Sequence, residues 1–441
     1  MTGTGFNVIG HISSPIGLGA AARNTVRTLL ERGEPVRVVD IASGAGSEGQ
    51  DTTYLHLQGR GPDQAPFGVN VFHLNPPQIL RLIHSRPSWL RLEERLNVCV
   101  PFWELPRLPR LWLPVLQAMD LVLAPSLFIE SALRADLPAH RCLHYPQAAY
   151  LPPVPDPPPH RWGLPRDALV FATGFDLKSD SARKNPWGAI EAFRRAFPDR
   201  DDVHLLIKVS GRGATPTTAG TFSCLQSLVR RDHRLHLVDE ELPYGQVLSL
   251  YAACDALISL HRAEGLGLVL MEAMSLGKPV VTTAWSGNMD FCTEENSRLV
   301  PFHLVPPRGT LTWYSSLYVG RRVCWAEPDL TVAAAHLRNL AASPELRREL
   351  GRRARQDMEQ RRAICREGRV FAEVLHALDR HTRTHARGGN RSLARIERRL
   401  RLAQLAPAYA VYEGLGTTLR GMRHVKRAVE NTAGAGPRGS A

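Results

Sequence analysis

Two trains of short apolar runs, each alternating with helical stretches, flank a segment, residues 150–165, in which seven of sixteen residues are proline. Proline fixes φ and removes a backbone donor, so this segment cannot be a regular core element. Before it, FNVIGHI (6–12), VRVVDI (36–41), VNVFHL (69–74), LNVCV (96–100) and DLVLAP (120–125) read as strands. After it, LVFATGF (169–175), HLLIKV (204–209), RLHLV (234–238), ALISL (256–260) and PVVTT (279–283) repeat the pattern, with helical stretches such as PWGAIEAFRRAF and LVLMEAMSLG between them. Strand–helix alternation predicts parallel sheets. The expected fold class is α/β. A first βα domain is expected over 1–155, a second over 156–378 and a basic helical tail over 379–441. The 441 residues suit two or three domains. Two such domains on a short junction enclose a cleft at their strands' carboxyl ends, where ligands sit.

The net charge of +13 is unevenly spread. Residues 379–441 hold 13 Lys and Arg against 4 Asp and Glu, which leaves the rest of the chain near +4. Basicity is therefore a property of the tail, not of a nucleic-acid-binding domain. In RSLARIERRLRLAQL (391–405) an apolar stripe is flanked by arginines, which suits an anionic membrane surface or a helix packed back on the first domain. The last dozen residues read as disordered. No run of 18 apolar residues and no basic-then-apolar leader stands out. The seven cysteines are odd in number and form no CxxC, which argues against a disulfide framework and for a reducing cytosol.

The densest chemistry lies in ISLHRAEGLGLVLMEAMSLGKPVV (258–281). A strand ends near Leu260, a Gly-rich loop follows, and a helix starts just after Gly265 and Gly267. Its free N–H groups and positive dipole end make an anion site, and the glycines allow close backbone approach. Eight positions on a helix span about 12 Å, so Glu264 and Glu272 do not flank one bond as a glycosidase pair does. Spacing alone equally allows a solvated Glu272 and a dipole-pairing Glu264.

The Glu264-x7-Glu272 string resembles the signature of retaining GT-B glycosyltransferases of family 4. RKNPWGAIEAFRRAF (183–197) is similar to that family's phosphate-binding Lys segment. SGNMDFCTEENSRLV (286–300), WAEPD (325–329) and, more loosely, GLGAAARN, FHLNPPQ and FWELPRLPRLWLPVLQAMDLVLAPSLF resemble bacterial surface-polysaccharide members. The resemblance covers roughly residues 6 to 345. It implies two Rossmann-like domains facing a central cleft and transfer of a sugar, with retention, from a nucleoside-diphosphate sugar to a glycan or lipid-linked acceptor. Glu272 would hold the ribose hydroxyls and Glu264 the transferred sugar. The amides of Gly265, Leu266 and Gly267 would face sugar and diphosphate, and Lys184 would balance the leaving diphosphate. Where the family often has an arginine this chain has Phe175, so Arg183 or the loop with Gly17 and Gly19 would carry that charge. Arg262, Asn288 and His73 are further expected ligand contacts, with His73 grouped with Glu264 and Lys184 as catalytic. His261 reads as structural. No metal is expected, and Asp199-Arg200-Asp201 reads as a solvated turn. The residues 238–243 are expected near the base. The implied setting is cytoplasmic, peripheral on the inner membrane face, in surface-polysaccharide synthesis.

One rival is an NAD(P)-dependent oxidoreductase. Gly17-x-Gly19-x-x-Ala22 opens a helix, and Asp40 ends the next strand, as in a dinucleotide fingerprint. Against it, HISSPI separates the strand from Gly17.

Overall fold

The computed structural model describes residues 3–41, 51–59, 64–85, 89–156, 161–165, 167–211, 216–386, 405 and 408–410. The apolar stripe at 391–405 and the last dozen residues therefore lie outside the described residues, apart from Leu405.

Every expected strand forms. The first sheet comprises β1 (Gly3–Gly10), β2 (Val36–Asp40), β3 (Phe67–His73), β4 (Leu96–Cys99), β5 (Leu121–Ala124) and β6 (Cys142–His144), in the order β2-β1-β3-β4-β5-β6 and parallel throughout. Its register is marked by a buried polar ladder. Asn7, Asn70 and Asn97 stand side by side, each donating to the next or to a loop carbonyl, with 3.1 Å between neighbouring amides. A one-residue slip would break the ladder and turn every apolar side chain to the wrong face.

The second sheet comprises β7 (Leu169–Asp176), β8 (Val203–Ser210), β9 (Leu235–Val238), β10 (Ala256–Ser259), β11 (Val280–Thr283) and β12 (Arg298–Val300), in the order β12-β11-β10-β7-β8-β9 and again parallel. The strand order reverses between β7 and β10, which opens a crevice at their carboxyl ends. An antiparallel pair, β13 (Phe302–Val305) and β14 (Trp325–Pro328), extends from this half.

The carboxyl ends of the two sheets meet. Ser126, after β5, donates its hydroxyl to the carbonyl of Gly265, after β10, at 2.6 Å. A Cβ on Gly265 would stand 2.9 Å from the Trp103 carbonyl, so glycine permits this close approach.

The chain then returns. The helix Pro344–Glu367 starts on the second core through Leu350 and Ala354 and ends on the first, with Cys365 against Thr28. Midway, Arg361 donates to the carbonyls of Gln147 and Asp290 at 2.9 and 3.2 Å. The helix Val370–Ala386 puts Phe371 edge-on against Phe6 and Tyr145 under the first sheet. The second domain was expected to run to 378, yet Val370, Phe371 and Val374 already belong to the first core.

Candidate active site

Lys184 is placed by two successive caps. Asp180 accepts from the Arg183 amide at 2.9 Å and starts the single turn Ser181–Lys184. Asn185 ends that turn in the left-handed region (φ 52°) and starts Pro186–Ala196, accepting from the Gly188 amide. Its side-chain amide donates to the Leu260 carbonyl at 2.8 Å, which pins the turn to the end of β10. Proline after the cap fits because the first helical residue needs no donor.

Glu264 sits in the loop after β10. Its amide donates to the Ser286 hydroxyl, and its carbonyl accepts from Gly287, each at 2.9 Å. Its carboxylate accepts from Lys184 in a direct ion pair and lies 3.5 Å from Arg183. Arg183 also donates to the Ala263 carbonyl at 2.9 Å and reaches Glu104 of the first domain at 3.5 Å. Tyr314 completes the group, 3.4 Å from Glu104. Burial opposes ionisation of Glu264, but Lys184 and Arg183 outweigh it and hold the carboxyl at about 2. Glu104 is pushed the other way, because burial and the neighbouring Glu264 outweigh the help of Arg183 and Lys184. The pair Lys184–Glu264 thus exists as charges at the crevice, with Glu104 as a second carboxyl on the far side of Arg183. Glu104 was missed in the sequence. It lies in the irregular segment after β4, where no periodicity or spacing ties it to Arg183.

Gly267 begins the helix Leu268–Ser275 at φ 96°, a conformation that glycine adopts without strain. Glu272 is buried on this helix and accepts from the Tyr244 hydroxyl at 2.9 Å. Burial raises its carboxyl to about 7 against the pull of Tyr244 and Arg23. Glu272 is therefore not a solvated helix residue. Tyr244 follows the 238–243 stretch, where the Glu240 carbonyl and Glu241 carboxylate accept from Lys208 and the Gly211 amide, both at 2.9 Å.

The structure brings Lys184, Arg183, Glu264, Gly265, Leu266 and Gly267 together and sets Glu272 about a turn along the helix that Gly267 begins. Other expected contacts are otherwise employed. Arg262 is held bidentately by Glu327 at 2.6 and 2.9 Å, donates to the Ala182 carbonyl and lies over Trp325, so its guanidinium braces β14 instead of facing a ligand. Asn288 is buried, with its amide on the Thr283 carbonyl and its oxygen 3.1 Å from His261, which makes it a loop brace. His261 is fully buried and bridges Ser259, Trp285 and Asn288. Phe175 belongs to the second core.

His73 ends β3, beside β1 where the first sheet's order reverses. It is fully buried, and neither ring nitrogen has a hydrogen-bond partner among the described residues. Burial lowers its pKa to about 3, so the ring is neutral. A buried unsatisfied ring costs about 1–3 kcal/mol and is rarely retained without use.

The nicotinamide alternative is not supported. Gly10 ends β1 and the helix begins only at Gly17, with residues 11–16 looping between. Gly19 is needed for packing: a Cβ there would stand 2.4 and 2.6 Å from the carbonyls of Ser14 and His11. Arg23 fastens the same loop through the Ile12 and Ser14 carbonyls. The loop therefore lies down on its own helix, whereas Gly17 borders open space. The sequence Asp199-Arg200-Asp201 lies at the amino end of β8, away from the crevice, and Arg200 pairs with Asp202. Among the described residues no group of three or more His, Cys, Asp or Glu could hold a metal ion, and no helix is long and apolar enough to cross a membrane.

Two parallel Rossmann-like domains that meet at their carboxyl ends around this crevice define the GT-B class. Within it, residues 177–303 match the family Glycosyl transferases group 1. No curated protein matches the chain in sequence. Among solved structures it is similar to a sucrose-phosphate synthase from Thermosynechococcus elongatus, with 16% identity and a TM-score of 0.57 over 85% of this chain and 100% of the other. An E. coli trehalose-6-phosphate structure bound with UDP-2-fluoro glucose is 12% identical, with a TM-score of 0.56 over 84% and 98%. Anabaena HepE in complex with UDP and glucose is 16% identical, with a TM-score of 0.54 over 85% and 99%.

Proposed function

We propose that the protein transfers a sugar from a UDP-sugar to a hydroxyl of a glycan or lipid-linked acceptor, with retention and without a metal ion, in cell-surface polysaccharide synthesis. The observation that carries this reading is the charged pair Lys184–Glu264 at the strand-order reversal of the second sheet, inside the segment that matches group 1 glycosyltransferases. Uridine is favoured because two GT-B neighbours hold UDP compounds.

Lys184 exchanges its carboxylate partner for the donor's diphosphate and stabilises the charge that grows there as the glycosidic bond breaks. Arg183 adds its charge from behind, in place of the arginine that Phe175 does not supply. Glu264, released from Lys184, accepts from hydroxyls of the transferred sugar, beside the amides of Gly265, Leu266 and Gly267. Glu272 accepts from the two ribose hydroxyls in place of Tyr244. His73 gains a partner for its idle ring nitrogens in a donor or acceptor hydroxyl. Gly17, at the open start of its helix, lets the first domain approach the diphosphate. The acceptor hydroxyl attacks on the leaving-group face, and the departing phosphate oxygen takes its proton. Closure of the two domains keeps water from the donor. The basic tail attracts an anionic inner-leaflet surface.

A thermal-shift panel of UDP, GDP, ADP, TDP and NADH without metal tests the reading. UDP at a hundred times its dissociation constant adds about 2.7 kcal/mol, and Glu272→Ala should abolish that shift. Stabilisation by NADH alone, unchanged by Glu272→Ala, would overturn it.

A further inference from the structure

A cavity of about 550 Å³ lies away from the Lys184–Glu264 pair. It lies on the seam, between the first-domain helix Gly17–Glu31, the proline-rich junction, Tyr244, and the returning helix Pro344–Glu367. Its volume is that of a small-molecule site. Its wall is cationic: Arg23, Arg27, Arg355 and Arg362 face only Asp51 and Glu359.

These arginines are not equally committed. Arg23 is spent, because it and Asp51 form a largely buried pair at 2.9 Å. Arg355 meets Glu359 at 3.2 Å, but both side chains are more than half exposed, and such a pair is weak and exchangeable. Arg27 holds Glu31 at 2.7 Å, with the guanidinium half exposed and the carboxylate less so. Arg362 is half-buried and makes no hydrogen bond or ion pair among the described residues. Three guanidinium groups from two elements thus converge on one space, with only Glu31 and Glu359 set against them. A phosphate monoester carries the complementary charge of about −1.5 to −2 at pH 7, and the guanidinium fork matches its oxygens. The rest of the wall includes the rings of Tyr54, Tyr150 and Tyr244, with Pro152 and Pro153, and the polar Asn24, Thr53 and Ser275, which suits a polar, sugar-sized body.

We infer that this seam cavity is a second ligand site, for a phosphorylated small molecule, held by Arg362 and Arg355 and separate from the donor crevice. Because its walls come from both domains and from the junction, a ligand there is tied to how the domains sit. Tyr244 is the physical link, with its ring 5.9 Å from the Arg23 guanidinium and its hydroxyl on Glu272.

The test is calorimetric titration of the full chain with ribose 5-phosphate and, as a neutral control, ribose. Wild type is compared with Arg362→Gln, Arg355→Gln and Lys184→Gln, each checked for an unchanged fold by its unliganded melting. The expected result is binding of ribose 5-phosphate at least tenfold tighter than ribose, weakened tenfold or more by Arg362→Gln and less by Arg355→Gln, and unaltered by Lys184→Gln. No binding to wild type, equal binding of ribose, or loss on Lys184→Gln with Arg362→Gln unaffected would each overturn the proposal. The last result would assign the phosphate to the donor crevice.

Discussion

Arg183 and Glu104 stand 3.5 Å apart, one from each domain, with Glu264 on the other side of the guanidinium. Two carboxylates therefore share one buried arginine across the cleft. Glu104→Ala removes its first-domain partner and leaves Arg183 to Glu264 alone. The expected loss is about 1–3 kcal/mol in denaturant unfolding. Glu104→Gln should recover part of it, since an amide oxygen can still accept. A neutral Glu104→Ala would mean that the arginine is fully satisfied within its own domain.

Glu272 sets a pH dependence with a definite sign. Burial raises its folded carboxyl to about 7, above the unfolded value near 4.5. The folded state then binds the proton more tightly, so stability is highest at low pH and falls as pH rises from about 4.5 to 7. Glu272→Gln should remove that fall, a gain on the order of 2–4 kcal/mol at pH 8. On the proposed reading UDP needs the carboxylate, so wild-type affinity should rise between pH 6 and 8 while that of Glu272→Gln stays flat and weaker. Calorimetry at three pH values decides it.

Lys184→Ala is expected to lower kcat by roughly a hundredfold or more, the scale for loss of one preorganised charge at a leaving group. Lys184→Arg should restore part of it. An effect confined to KM would instead make Lys184 a uniform binder of the donor.

His73→Leu separates stability from activity. The substitution removes two buried, unpartnered nitrogens and should raise unfolding stability by about 1 kcal/mol or more, while turnover falls at least tenfold. Since the folded ring titrates near 3, wild-type stability falls as pH drops below about 6.5, and His73→Leu should flatten that fall.

Gly287→Ala would place a Cβ 2.0 Å from the Gly265 carbonyl oxygen and 2.8 Å from the Leu266 nitrogen, backbone atoms that cannot swing away as a side chain would. Destabilisation of about 1–3 kcal/mol is expected, together with weaker donor binding, because the displaced loop carries Glu264. Parallel unfolding and nucleotide titrations would show both.

The ten strands expected from apolar runs all form, because each is four or more residues rich in Val, Ile and Leu, most of them bounded by Gly, Pro or Asp. The edge strands Cys142–His144 and Arg298–Val300 were not expected: three residues hold too little pattern to distinguish them from loop. Glu264 and Glu272 could be picked out because a glycine-marked loop–helix start carries them, and Lys184 through the resemblance of residues 183–197. The employment of Arg262 by Glu327 and of Asn288 by His261 could not, since both partners come from elements placed only by folding. Glu104 was hidden for the same reason.

The polypeptide passes between the domains twice, once through the prolines after Tyr150 and once along Pro344–Glu367, with Arg361 bound to both sides. A body tethered at a single point can tumble about it in three ways; one tethered at two points can only swing about the line that joins them. The second crossing thus makes the junction a door with two pins, so that the Glu104–Arg183 contact parts and returns along one arc.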